Sequence, residues 1–277
     1  ELLMTNHGPG SYTSRTFSKR CNRRNEELAD LAERACVAAE YVTGAPYPKH
    51  ELEKAWKRNI AHTFHDDITG TSLQRVYQRS WNDYIMSSNQ FVNAYEGAAS
   101  EIAKQLNTSW VQGVPLVVNN HIEVDRRGAV NATIANLGTP YIKVYDSFGD
   151  EVPSQVTYLD ENMMQIVFIA TVPGLGYRVY DVRPSDEPCS LKTDVRASIS
   201  SLENDKYIVR INKNGDIYSI IDKTLANKEL LDKPIRYCIN LDAGDKKYPA
   251  WELKYKEVKR PSWEFAEYGE CALIENG

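Results

Sequence analysis

The sequence predicts a multi-domain chain of α and then β structure: a three-helix bundle, a small β-sandwich, and the opening strands of a larger sheet. Composition is the first observation that predicts it. Val and Ile together number 8 in the first 108 residues and 30 in the remaining 169, and the first part holds 12 Ala, a change from helix-forming to strand-forming residues. Periodicity changes at the same place, from apolar residues three and four apart to short alternating runs bounded by Gly, Pro and Asn. Charge follows the same cut, with 13 basic and 13 acidic residues before it and 20 and 25 after it, so the net charge of -5 belongs to the β part.

In the helical part, Leu28, Leu31, Ala35, Ala38 and Val42 make the stripe of one amphipathic helix, which Gly44 and the segment "APYP" bring to an end. Leu52, Trp56 and Ile60 mark a shorter helix. The longest one carries Leu73, Tyr77, Trp81, Tyr84, Ser88, Phe91, Tyr95, Ala98, Ile102 and Leu106 at near-heptad spacing. Short connections make the three helices antiparallel neighbours, and this part runs to about residue 108.

In the β part, "GVPLVVNN", "GAVNATIANLG", "YIKVYDSFGDEV", "MMQIVFIATVP" and "GYRVYDV" are strands of a small immunoglobulin-like sandwich over residues 109–184. In residues 185–277, "YIVRINKNGDIYSIID" places Asn214-Gly215 between two alternating runs, a hairpin signal. Few strands follow, so this segment reads as the opening of a larger sheet.

Composition also excludes several classes of function. With 277 residues, 42% hydrophobic and 26% charged, the chain has the make-up of a globular protein. It holds no run of eighteen apolar residues, so no membrane-spanning helix is expected. Mild acidity without a Lys/Arg stripe argues against a nucleic-acid partner. The five cysteines share no Cys-x-x-Cys spacing, which indicates neither a disulfide framework nor a thiolate zinc cluster. The opening "ELLMTNHG" reads as the start of a piece of a longer protein. The sequons at Asn107 and Asn131 carry meaning only in a secretory setting, and no compartment follows from the sequence.

The segment with chemistry in it is "HTFHDDITGT", residues 62–71. His62 and His65 stand three apart at the end of the short helix, and Asp66 and Asp67 add hard oxygen donors, a residue set suited either to zinc or to a solvated helix connection. Thr71 and Gln74 have the spacing of a capping box for the long helix, with Gly70 in the entry turn. A cap after a tight turn makes the loop rigid, as a ligand residue requires.

"FHDDITGTS", Phe64 to Ser72, resembles the signature of the glycoside hydrolase family 38 α-mannosidases, in which a His-Asp pair precedes an apolar-x-Gly-Ser/Thr turn. Other segments agree in order. "GSYTSRTFSKRCNRRNEELADLAERA" is similar to the family's Tyr-Thr-Ser segment leading into the first bundle helix. "GDEVPSQVT", "FIATVPGLGYRVYDV" and "NGDIYSIIDKTLANKELLD" are similar to its small β domain and the start of its large C-terminal β-sandwich.

The resemblance implies part of a zinc-dependent, retaining exo-α-mannosidase that hydrolyses terminal α-linked mannose. His65 would bind Zn2+ and Asp66 would meet hydroxyls of an α-mannoside oligosaccharide. His62 matches no ligand and is expected as a helix-end residue. Asp67 stands where Ala or Ile is commoner and is expected as loop polarity, while His7 and Tyr12 receive no role. The catalytic carboxylates and the other zinc ligands would come from an N-terminal catalytic domain outside this chain. No catalytic residue is therefore expected in it, and it would form one wall of the active site, inactive alone. Faces normally covered by that domain suggest a homo-oligomer of the fragment. The alternative from another class is a non-catalytic carbohydrate-binding or scaffold module, with Trp110, Trp251 and Trp263 as platforms or as core and interface residues.

Overall fold

A computed structural model describes residues 8–239, together with 247, 248, 250–252, 254, 259, 261, 264–267, 269 and 271–274. The helical part contains α1 (Thr16–Thr43), α2 (Lys49–Ala61), the single turn α3 (His65–Ile68) and α4 (Gln74–Ala103), and both α1 and α2 pack on α4. Helix α1 stops where Gly44 turns left-handed at φ 76° and its N–H donates to the Glu40 carbonyl at 2.9 Å.

The buried seam of α1 is Ala29, Ala32, Ala35, Cys36 and Ala39. It overlaps the expected stripe at Ala35 and is otherwise rotated from it: Leu28 is partly buried and Val42 is exposed. Small residues let the two backbones approach, and the larger ones flank the contact. On α4, Tyr77, Tyr84, Phe91, Ala98 and Ile102 are buried as the spacing predicts, while Ser87 takes the place expected of Ser88 and Ser80 adds another.

Trp56 meets Phe91 edge-on at 5.6 Å, and its Nε1 donates to Glu33 at 2.7 Å, so the indole is satisfied within the helices. Ile60, expected inside, is exposed, and Asn59 is buried instead. Asn25 explains the exchange. Its Nδ2 donates to Asn59 Oδ1 at 2.9 Å and to the Tyr84 carbonyl at 3.0 Å, so one amide connects α1, α2 and α4.

Two antiparallel sheets follow. The first has the order β1 (Val114–Asn120), β7 (Gly176–Ser185), β3 (Tyr141–Tyr145), β4 (Glu151–Val152), and the second the order β2 (Arg126–Ala135), β6 (Met163–Val172), β5 (Ser154–Leu159). Along β6, Met164, Ile166, Phe168, Ala170 and Val172 alternate inward with period two. They share one core with Ile142, Val144, Tyr180 and Val182 from the other sheet. The sequence reading missed β5, whose "SQVTYL" is half polar and whose register shifts between Val156 and Tyr158, breaking the alternation.

The described residues from Lys192 onward, together with residues 8–10, form a second unit. Here β10 (Tyr207–Ile211) and β11 (Ile217–Asp222) make the expected hairpin, and Asn212 Oδ1 accepts from the Asn214 and Asp216 amides at 2.9 and 3.1 Å. The sheet runs β12 (Lys228–Glu229), β11, β10, β9 (Ser201–Glu203), β8 (Arg196–Ser198), and β13 (Cys238–Ile239) pairs with β14 (Glu264–Phe265). Among the described residues, no helix is long and apolar enough to cross a membrane.

Candidate functional site

The candidate site is the connection between α2 and α4. Its first part is the single turn α3, closed by the Asp67 and Ile68 amides donating to the Phe64 carbonyl at 2.9 and 3.1 Å. The Asp66 carbonyl then accepts from the Thr71 and Ser72 amides at 3.1 and 2.8 Å. Ser72 N–H also donates to the Tyr77 hydroxyl at 3.0 Å, and that hydroxyl donates back to the Asp66 carbonyl at 3.3 Å. From α1, Lys19 Nζ reaches the Ile68 carbonyl at 2.7 Å and also the Ser14 carbonyl. The loop's own amides, the Tyr77 hydroxyl and the Lys19 ammonium thus fix the loop backbone, so its side chains sit on a rigid support.

The expected capping box is absent. Helix α4 starts at Gln74 with Leu73 before it, and no side chain caps it. The Thr71 hydroxyl donates instead to Asp66 Oδ1 at 3.1 Å, and the Ser72 amide is already committed to Asp66 and Tyr77. The cap residue therefore braces the loop and leaves the helix terminus open.

The two histidines do not share a face. His65 presents its imidazole to solvent with 72% of the side chain exposed, against the Phe64 ring at 4.3 Å, and its Nε2 lies 3.3 Å from Asp66 Oδ2. His62 is 9% exposed and caps the C-terminus of α2. Its Nδ1 lies 2.7 Å from Asp67 Oδ2 and its Nε2 3.0 Å from Asp83 Oδ2. Asp67, expected as loop polarity, is 5% exposed and is the partner of this buried ring, which corrects that expectation.

Tyr84 packs on His62 at 5.4 Å and donates its hydroxyl to the His62 carbonyl at 3.3 Å; burial strongly raises its phenol pKa. Burial likewise raises that of Tyr77, so both hydroxyls remain donors over the physiological range. Sequence reasoning missed Asp83 altogether. The available signal was a carboxylate beside the buried Ser80, Tyr84 and Ser87 positions of α4.

Among the described residues, no group of three or more His, Cys, Asp and Glu is placed to hold a metal ion. His65 and Asp66 make an exposed nitrogen and oxygen pair on a rigid loop, a donor set that fits a share of a zinc site and not the whole of one. Trp110 is half-buried with its Nε1 on the Asn107 carbonyl, Trp251 is also half-buried, and His7 and Trp263 lie outside the described residues.

Comparison with known proteins finds similarity to α-mannosidases. Residues 9–102 match the family described as the alpha mannosidase middle domain, a span that contains the whole loop and its three supporting helices nearly to the end of α4. Over 295 residues the chain is 24% identical to alpha-mannosidase G of Dictyostelium discoideum, covering 97% of this chain and 26% of that protein. The family match of residues 9–102 and both curated relatives point to α-mannosidases as the proteins this chain is similar to. The human epididymis-specific alpha-mannosidase is 22% identical, covering 90% of this chain and 29% of its own length. An alpha-mannosidase from Enterococcus faecalis V583 shares the fold with a TM-score of 0.63 at 18% identity, over 80% of this chain and 30% of that one. A glycosyl hydrolase family 38 protein of the same species gives 0.61, also at 18%. The chain thus spans under a third of the length of these α-mannosidases, and the loop lies in its own segment that matches the middle-domain family.

Proposed function

We propose that this chain forms one wall of the active site of a zinc-dependent, retaining exo-α-mannosidase that hydrolyses terminal α-linked mannose from glycans, and that it is inactive alone. The observation that carries this reading is the exposed His65–Asp66 pair on a loop fixed by Lys19, Tyr77 and the Asp66 carbonyl, inside the segment that matches the middle domain. His65 would hold Zn2+ through its imidazole. The Asp66 carboxylate would accept hydrogen bonds from hydroxyls of the terminal mannose, so this chain's share of the work is orientation of the sugar. Bound zinc supplies Lewis-acid contacts to vicinal hydroxyls. Retaining hydrolysis further needs two carboxyl groups about 5 Å apart, nucleophile and acid, which the reading assigns to an N-terminal catalytic domain.

The same reading assigns residues 1–108 to the three-helix middle domain, 109–184 to an immunoglobulin-like sandwich and 185–277 to the start of the large C-terminal sandwich. The test is made on the full-length protein that carries this chain. His65→Ala should remove zinc and turnover of an aryl α-mannoside together, and Asp66→Asn should keep zinc and lose turnover. Full activity with His65→Ala would refute the reading.

A second reading, a non-catalytic carbohydrate-binding module, draws on a groove of about 660 Å³ between α1 and the β1 and β7 ends. Tyr41, Tyr47 and Tyr177 line it beside Asp30, Asn119 and His121, stacking faces next to planar polar groups. Calorimetry of the 277-residue chain with mannobiose separates the two readings, since binding lost with Tyr41→Ala and kept with Asp66→Asn favours the module.

A further inference from the structure

Asp67 sits directly after the proposed sugar contact, and two residues after the proposed zinc ligand, yet its carboxylate points the other way, into the protein. Its Oδ2 meets His62, and its Oδ1 is buried without a hydrogen-bond partner, so the imidazole is the chief compensation for a carboxylate out of solvent. The far side of the ring meets Asp83 on α4, and Asp83 lies 3.8 Å from Arg58 of α2 and 3.9 Å from Arg79 of α4. A carboxylate, a ring and a second carboxylate therefore run from the loop to the third turn of a thirty-residue helix, whose frame does not flex on the scale of a loop.

A neutral imidazole has one N–H and one bare nitrogen, and the bare nitrogen would face a carboxylate oxygen at one end of this bridge. Each ring nitrogen of His62 faces a carboxylate oxygen on a different element, and Arg58 and Arg79 stand beside Asp83 at the α4 end.

We propose that His62 is a positioning residue, bridging Asp67 and Asp83 so that the turn carrying His65 and Asp66 is held in register with α4. This deepens and rests on the reading of His65 and Asp66 given above. Groups that orient a metal ligand from behind are worth roughly ten- to a hundredfold in metal affinity or activity when lost. The bridge acts through the backbone of α3, one residue from Asp66, so its loss should disturb metal and sugar contacts together while leaving the helices packed.

The experiment uses the full-length protein, reading zinc affinity of the metal-stripped form, kcat and KM on an aryl α-mannoside, and Tm for each variant. His62→Gln, which can bond only one carboxylate well, should weaken zinc affinity and lower kcat by roughly ten- to a hundredfold. Asp83→Asn should change both in the same direction and is read in its place if His62→Gln does not fold. Asn25→Ala, which breaks the buried amide pair of the same helices, should lower Tm and leave zinc affinity and kcat unchanged. If His62→Gln and Asp83→Asn lower only Tm, as Asn25→Ala does, the positioning role is overturned while the zinc reading stands. If His65→Ala keeps zinc and activity, the zinc reading fails and the positioning role fails with it.

Discussion

Gly70 backs directly onto Ser14: a Cβ placed on Gly70 would lie 2.7 Å from the Ser14 Cβ and 3.0 Å from its carbonyl carbon, and Gly70 has a φ of +90°. The loop is thus seated against the segment before α1 with no room for a side chain. Gly70→Ala should cost about 1–3 kcal/mol for the backbone conformation alone, with the displaced loop adding to it. Gly44→Ala, at φ +76° with nothing within 4 Å, should cost only about 1–2 kcal/mol. Urea unfolding of the two variants checks the difference, and equal losses would mean that the Ser14 contact is not tight.

Alkaline pH should unfold the protein cooperatively. Burial raises the phenol pKa of Tyr77, Tyr84 and Tyr180, and that of Tyr177 to about 12. A folded-state pKa above the unfolded value means that the folded chain keeps protons the unfolded chain gives up. The associated stability is complete below about pH 10, the ordinary tyrosine value, and is lost as pH rises from there through the folded values. The share of tyrosinate absorbance that comes from these buried tyrosines should appear together with the loss of far-UV circular dichroism. Smooth titration of every tyrosine near pH 10 with the fold intact would contradict this.

Asp181 should matter more than any other described carboxylate of the two antiparallel sheets that follow the helices. Burial alone would raise its pKa, but N–H donors from Gln112 at 3.0 Å and Gly113 at 2.8 Å and the Arg183 guanidinium at 2.7 Å outweigh burial and lower it. Its stabilisation is present above about pH 4 and is lost as pH falls through its own lower value. Asp181→Ala leaves two amides and an arginine unpaired and should cost about 3 kcal/mol, and it should flatten the acid limb of a stability–pH curve. Chemical denaturation from neutral pH downward measures both.

The 277-residue chain should bind zinc no better than a surface histidine does, since a single imidazole is far short of four ligands. Calorimetry should show no sub-micromolar site and assays no hydrolysis of aryl α-mannosides. A tight site abolished by His62→Ala would contradict this, by making His62 a ligand.

The helix-to-strand division and most strands were legible because they rest on summed propensities and on period-two alternation, which β6 carries without exception from Met164 to Val172. The α1 seam was misread because its buried residues are mostly alanines, whereas the eye for periodicity follows Leu and Val. The roles proposed for His65 and Asp66 rest on resemblance and not on spacing. The bridge behind them was not legible, because His62, Asp67 and Asp83 lie on three elements and meet only once α2 has turned into α4. Thr71 was misassigned for a related reason: a hydroxyl near a helix start has other acceptors in reach, and Asp66 is one of them.

The alanine seam of α1 has a consequence for how this sequence can drift. Ala29, Ala32 and Ala55 share a cluster with Leu52 and Phe91 in which every one of these side chains is buried. A methyl group has no rotamer to change, so the contact cannot absorb an added methylene by rearranging in place. Enlarging Ala32 must therefore be met by a smaller residue across the gap, at Phe91 for instance, or α4 moves as a rod and takes Tyr77 and Asp83 with it. Changes of volume along this seam are expected to be inherited in matched pairs.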